Sequence, residues 1–384
     1  MQKQKRKICF VITSHIHYGR SKLILNELRK RKDVELQIVV GGSGLLRNYG
    51  EVLLHLEKDG FKSNAEVMMT FEGGNSIAMA KTAGIGISEF ATVFQNLKPD
   101  IVVVRGDRYE ILSAAVAASY LNISVAHLEG GDVTGTIDES VRHAVTKLSH
   151  IHFATSELSK ERILRMGENP RYVFNVGCPE IEYIAKNKFK ISNKLFNKWG
   201  VGDVIDTATP YIMVMVHPVT SEIENNKKNT EVLLQAVFET KTPTIWFWPN
   251  VDAGTDSVSK AIRVFREKRK PSHMRFVRYL ASEEFLGLLE RAACLVGNSS
   301  TGIKECSFLG VPAVNIGTRQ NGRMRGHNVL DVDYKKNAIK TAIKKQLSVG
   351  RYEPSHIYYQ PNTSEKITDT LAKIDLYTQK QFVD

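Results

Sequence analysis

Between Asp100 and Leu148 the chain reads DIVVVRGDRYEILSAAVAASYLNISVAHLEGGDVTGTIDESVRHAVTKL, and no other stretch limits the possible folds so strongly. Residues 101–104 are a β-branched run with no polar alternation, the pattern of a strand covered on both faces in a parallel sheet. A polar turn, Gly106-Asp107-Arg108, follows, then a helical pattern, a second short strand at 124–126, and the charged end His127-Leu128-Glu129-Gly130-Gly131-Asp132. Strand, crossover helix and parallel strand make a right-handed βαβ unit. Ligands of open α/β sheets bind at the carboxyl ends of the strands, so Asp107, Arg108, His127 and Glu129 are expected to converge on one cleft. Asp138 stands before Val141, Ala144, Val145 and Leu148, which have helical spacing; it can be the N-cap of that helix as well as a catalytic acid.

The same alternation runs through the rest of the 384 residues. Strands are expected at 8–12, 34–40 and 151–154, and helices at 21–31, 76–97 and 157–166, with the HIHYGR segment at 15–20 as a loop. After Gly177-Cys178-Pro179, a Lys- and Asn-rich segment at 187–200 marks a change of domain. A second series of strands follows at 212–216, 244–248, 274–277, 294–296 and 313–316. The expected fold class is α/β, with two Rossmann-like doubly wound domains facing each other across a cleft. The first spans 1–176 and the second 177–361, with a last helix from 362 crossing back to the first domain.

Composition excludes several functions. The net charge of +12 is spread along the chain, and no aromatic residues interleave with the basic ones, so an anionic small molecule accounts for it and no nucleic-acid partner is expected. Cys9, Cys178, Cys294 and Cys306 are far apart, which predicts reduced thiols in a cytoplasmic protein and no zinc site or disulfide frame. The apolar run at 8–12 is too short for a signal peptide, and no apolar segment is expected to reach the length of a membrane span.

Polar groups also follow the strands of the second half: His217-Pro218-Val219-Thr220, Pro249-Asn250-Val251-Asp252-Ala253-Gly254, and GNSSTGIKE at 297–305. A helix N-terminus presents free N–H groups and a positive dipole end, and Ser299 and Ser300 add small donors there, an arrangement that suits a diphosphate or simply a capped helix. Glu305, one turn into that helix, is placed to accept hydrogen bonds from ribose hydroxyls. Arg319 in the next loop brings a guanidinium to the same rim, which favours phosphate binding.

Taken together, GDR at 106–108, HLEGGDVTGTIDESVRHAVTKLSH at 127–150, HPVT at 217–220, PNVDAG at 249–254, GNSSTGIKE and GTRQNGR at 317–323 resemble the hydrolysing UDP-N-acetylglucosamine 2-epimerases of sialic and legionaminic acid synthesis. The resemblance spans nearly the whole chain. It implies a glycosyltransferase-B arrangement, with the second domain holding UDP through Ser299, Ser300, Glu305, Asn250 and His217. Arg108 and Arg319 would meet the substrate's negative charge. Asp107, Glu129 and Asp138 would be the catalytic carboxylates, with His127 and His217 beside them. Elimination of UDP to a 2-acetamidoglycal and its hydration with inversion at C2 would release the free sugar, with no cofactor and no metal. The chain departs from the family at His15-Ile16-His17-Tyr18, where the family often has Arg-Ala-Asp/Glu-Tyr, and at Gly44, where it often has a histidine. His15 and His17 therefore join the expected substrate-binding set, and a sugar altered at C4 or C6, such as UDP-2,4-diacetamido-2,4,6-trideoxyglucose, is an alternative to UDP-N-acetylglucosamine. A non-hydrolysing 2-epimerase and a glycosyltransferase share the fold. The apolar helices near 85–97 and 111–121 suggest a homo-oligomer, a dimer or tetramer.

Overall fold

The computed structural model describes residues 5–71, 73–191, 200–278 and 280–384. The boundary segment at 187–200 lies partly outside the described residues.

Strands in the first half are β1 (Arg6–Ile12), β2 (Val34–Gly41), β3 (Ala65–Val67), β4 (Ile101–Arg105), β5 (Ser124–Leu128), β6 (Ile151–Ala154) and β7 (Val173–Asn175). They form a parallel seven-stranded sheet in the order β3-β2-β1-β4-β5-β6-β7. Helices α1 (His15–Lys30), α2 (Val52–Lys58), α3 (Ser76–Leu97), α4 (Tyr109–Tyr120), α5 (Ile137–Leu148), α6 (Glu157–Arg165) and α7 (Pro179–Lys186) connect or follow them. The second half has β8 (Val201–Gly202), β9 (Ile212–Met215), β10 (Thr244–Phe247), β11 (Met274–Val277), β12 (Cys294–Gly297), β13 (Ala313–Ile316) and β14 (Val329–Val332), in the order β14-β13-β12-β9-β10-β11-β8. All pair parallel except β8, which runs antiparallel on the edge. Its helices are α8 (Asn226–Thr240), α9 (Thr255–Arg269), α10 (Ser282–Arg291), α11 (Glu305–Leu309), α12 (Lys336–Val349) and α13 (Thr363–Lys373).

Each sheet is covered on both faces, which explains why its strands are apolar without alternation. In β1, Ile8, Phe10 and Ile12 enter one core with α1 and α13, while Cys9 and Val11 enter the opposite core with α3, α4 and α5. The second sheet repeats this division, with Met213 on one face and Ile212 and Val214 on the other. Each such side chain, fully buried, contributes about 1.5–3 kcal/mol. Helix α13 packs on α1, and Arg6 Nη1 donates to the carbonyls of Leu371 and Ile374 at its end.

Three local expectations are corrected. The HIHYGR segment is not a loop but the start of α1, because Ser14 caps the helix by accepting from the His17 amide at 3.2 Å. Asp138 is not an N-cap: Thr136 takes that place and accepts from the Asp138 amide at 3.3 Å, which leaves the aspartate's carboxylate free for other partners. Helix α3, at 22 residues, is long and apolar enough to cross a membrane by length and composition, contrary to the expectation that no segment would be. It packs along α4 with Phe90 and Phe94 buried, leaving Ile77 and Ile85 exposed.

Candidate active site

The carboxyl ends of both sheets face one cleft of about 690 Å³. β4 ends at Arg105 and turns through Gly106, which places Asp107 and Arg108 on the first wall. β5 extends to Leu128, and Glu129 follows in a left-handed backbone conformation (φ 71°) that is costly for a residue with a side chain. Asp138 projects into the cleft from the first turn of α5. His15 and His17, in the first turn of α1, complete this wall.

The opposite wall comes from the second sheet. β12 ends at Gly297, whose backbone (φ 137°) passes so close to β9 that a Cβ there would lie 1.9 Å from the Met215 carbonyl oxygen. That close passage turns the chain into Ser299 and a 3-10 turn at Ser300–Gly302. Glu305 therefore begins helix α11 rather than lying one turn inside a helix. Ser299, Ser300, Glu305, Asn250, His217 and Arg319 all line the cleft. Asn298, overlooked in the sequence, holds His217 by accepting from its amide and donating to its carbonyl, each at 2.8 Å. The His217 ring accepts at Nδ1 from the Asn250 amide at 3.3 Å. Burial and the positive charge of Arg319 push its pKa down to about 3, so it is neutral near neutral pH.

His127 is the one expected site residue that does not reach the cleft. It is fully buried as a strand residue of β5, with Nε2 on the Gly106 carbonyl at 2.9 Å and Nδ1 near the Thr146 hydroxyl at 3.2 Å. The carbonyl partner assigns the proton to Nε2. Burial lowers its pKa to about 4, so it is a neutral brace behind the Gly106 turn. Arg108 does reach the cleft but is already paired, with Glu110 at 3.0 and 3.1 Å and with Asp252 of the other half at 3.0 Å.

The three carboxylates sit in different fields. Burial opposes the charge of Asp107, yet Arg142 and Arg323 outweigh it and bring its pKa down to about 2; Arg142, fully buried on α5, pairs with it directly. Burial also opposes the charge of Glu129, and Arg105, Lys304 and Arg20 hold it well below the ordinary glutamate range. Asp138 goes the other way: burial, then the carboxylates Asp107 and Asp252, push it up to about 6, with Arg319 at 3.6 Å only partly offsetting them. His17, in contact with Thr13 Oγ1 at 3.2 Å, is kept neutral by burial and by Arg108, with a pKa of about 3.

Several ion pairs cross the cleft. Arg20 on α1 reaches Glu305 at 2.6 Å, Lys22 reaches Glu283 at 2.9 Å, and Asp132 reaches Arg323 at 3.0 Å. Glu305 Oε1 takes the Arg20 pair, while its buried Oε2 makes no hydrogen bond. Glu129, Cys178 and Glu180 bring ligand atoms within metal-binding range of one another. Arg105 pairs with both carboxylates and Lys304 with Glu129, so this cluster is already balanced by protein cations.

A family model described as UDP-N-acetylglucosamine 2-epimerase matches residues 26–372. The chain belongs to the UDP-N-acetylglucosamine 2-epimerase family. Within that family it is 34% identical over 374 residues to the UDP-N,N'-diacetylbacillosamine 2-epimerase (hydrolyzing) of Legionella pneumophila, covering 97% of each chain. It is 31% identical over 389 residues to the GDP/UDP-N,N'-diacetylbacillosamine 2-epimerase (hydrolyzing) of Campylobacter jejuni, covering 99% of each. Its fold matches that of the Neisseria meningitidis UDP-GlcNAc 2-epimerase bound to UDP-GlcNAc, with a TM-score of 0.78 at 18% identity over 95% of this chain and 99% of that one. The expected enzyme of the hydrolysing branch and the two-domain glycosyltransferase-B arrangement agree with these relatives.

Proposed function

We propose that the protein is a hydrolysing 2-epimerase of a UDP-2,4-diacetamido-2,4,6-trideoxyhexose, supplying the free 2-epimerised sugar for nonulosonic acid synthesis in the cytoplasm. The observation that carries the reaction is the contrast among three carboxylates on one wall: Arg142 pairs with Asp107 and Arg105 and Lys304 pair with Glu129, which keeps both ionised, while burial and the nearby carboxylates Asp107 and Asp252 push Asp138 up to about 6. A group with a pKa near the working pH transfers protons efficiently. In this reading Asp138 takes the C2 proton as the C1–O bond breaks, C1=C2 forms and UDP departs with the bonding electrons. The two fixed anions stabilise positive charge developing at C1. Water then adds across C1=C2, its hydroxyl to C1 and a solvent-derived proton to the other face of C2, while Asp138 returns its proton to water and the free sugar leaves.

Ser299, Ser300 and Arg319 receive the diphosphate in this account, and Glu305 Oε2 accepts from a ribose hydroxyl. Phe247, Leu280, Phe285 and Leu286, which line the cleft, offer uracil an apolar slot. Arg108 is held by Glu110 and Asp252 at 3.0 Å, whereas Arg319 meets Asp138 at the longer distance of 3.6 Å and donates to the Asn298 carbonyl, so Arg319 is the more available of the two for the phosphates. The departing residues favour the diacetamido sugar over UDP-N-acetylglucosamine. His15 and His17 are neutral imidazoles beside Ile16, and Ile16 gives that wall an apolar surface against which a C6 methyl would pack. The names of the Legionella and Campylobacter relatives support the same substrate. Turnover of both nucleotide sugars by the purified protein tests this. The diacetamido substrate should have the higher kcat/KM, and a preference for UDP-N-acetylglucosamine would remove the substrate assignment while leaving the reaction.

We also infer a two-fold pairing of α3 between copies of the chain. Exposed Lys81 and Glu89 lie four residues to either side of Ile85, so antiparallel helices crossing at Ile85 would set each lysine against the other copy's glutamate. Light scattering should give twice the chain mass, and a monomer for wild-type protein would refute the pairing.

A further inference from the structure

We propose that Lys304 is a positioning residue for the reaction: it reaches from the nucleotide-holding turn of one half to set the carboxylate of Glu129 in the other. The inference rests on the reading that the cleft turns over a UDP-sugar.

Glu129 Oε1 gathers three partners from three parts of the chain. Arg105 Nη2 at 3.1 Å comes from β4, Cys178 Sγ at 3.5 Å from the crossover between the halves, and Lys304 Nζ at 3.2 Å from the segment between the Ser299-Ser300 turn and Glu305. Oε1 is thereby fully engaged. Oε2 lies on the side of Gly106, 3.9 Å from where a Cβ on that glycine would stand, and is the oxygen left for the cleft. The left-handed backbone at Glu129 has to be held by its surroundings, and Oε1 is where the side chain is held.

Lys304 has no other carboxylate within ion-pair distance among the described residues. It is 3% exposed, lies over the Tyr358 ring at 5.4 Å and touches Cys178 Sγ at 3.9 Å. A buried ammonium with one anionic partner fixes the position of that partner. Lys304 is the residue immediately before Glu305, the proposed ribose ligand, and follows the proposed diphosphate turn. A nucleotide that orders this segment therefore orders Glu129 across the cleft as well. Other charged or titratable groups facing Glu129 are Asp107 after β4, His17 and Arg20 on α1, Glu180 on α7, Asp132 in its own loop and Arg323 after β13.

Lys304→Met in the full-length protein tests this, with kcat, KM and UDP affinity measured across pH. UDP affinity should stay within about threefold of wild type, while kcat falls by about a hundredfold through misplacement of the carboxylate. Loss of the cation should also raise the pKa of the Glu129 carboxyl, so the acidic limb that Asp138 sets near pH 6 falls more steeply, because two groups must then be ionised. Lys304→Arg, which restores the charge, should recover most of the rate. The pair Glu129→Gln/Lys304→Met leaves no buried charge without its partner, so it folds even if the single variant does not. Its kcat should equal that of Glu129→Gln alone. Wild-type kcat and pH profile in Lys304→Met, a loss confined to UDP affinity, or a further large loss in the pair would each overturn the proposal. Failure of the wild-type enzyme to release free sugar from either UDP-sugar would instead refute the underlying functional reading.

Discussion

In the proposed reaction the chemistry turns on Asp138, whose surroundings differ from those of its neighbours in a way that can be measured. Asp107 has a buried guanidinium against it, whereas Asp138 has two carboxylates nearby and a single arginine at 3.6 Å. As a base it must be ionised, so turnover should fall as pH drops through about 6. Asp138→Asn should lower kcat by about 100- to 10,000-fold and leave UDP binding intact. The sign for stability is opposite to that of a salt-bridged acid. A carboxyl whose folded pKa is raised contributes stability only while protonated and loses it as pH rises, so the uncharged asparagine should not reduce stability near neutral pH. An unfolding midpoint well below wild type at neutral pH would contradict this description of the site.

Helix α5 carries both Asp138 and Arg142, and the C-terminal tail secures its far end. Lys380 Nζ donates to the carbonyls of Lys147 and Ser149 and pairs with Glu168 at 2.6 Å, while Ser124 Oγ and His150 Nε2 hold the tail's backbone. Burial alone would raise the pKa of Glu168, but His152, Lys147 and Lys380 bring it down to about 2. Its contribution to stability is complete above the ordinary glutamate range and is lost as pH falls towards 2. Glu168→Gln should cost about 1–3 kcal/mol at neutral pH, reduced from the value of a fully buried pair because Lys147 is half open to water. Urea unfolding should show the difference from wild type shrinking in acid; a constant difference would rule out the charge as its cause.

At this scale the sequence was legible where the signal is local. Apolar runs located the long strands, and the Ser76–Leu97 helix has the expected bounds. The cap at Ser14 was missed because histidines at 15 and 17 read as a polar loop. Strands β3, β7 and β8 are too short, at two or three residues, for a period to show, and β14 is interrupted by exposed Asp331, so no apolar run marks it. His127 was misplaced because β5 runs two residues further than its apolar run, turning a presumed tip residue inwards. Arg20, Arg105, Arg142, Lys304 and Arg323 escaped notice since their partners lie dozens to hundreds of residues away, and no local pattern marks such a pair.

For the whole molecule, the two sheets contribute different halves of one task. In the proposed reaction the first supplies carboxylates with separated proton affinities, and the second supplies donors and an arginine for a nucleotide. Ion pairs from Arg20, Lys22, Arg108, Asp132 and Lys304 join the two across the cleft. Oxidation state and metal supply play no part in the proposed steps; proton transfer and departure of a diphosphate suffice. The most direct test is proton NMR of the reaction in heavy water, started with the UDP-2,4-diacetamido sugar. The account predicts UDP and a free sugar with inverted configuration at C2 and one deuterium there. Free sugar that retains its C2 proton, or a product still joined to UDP, would contradict it.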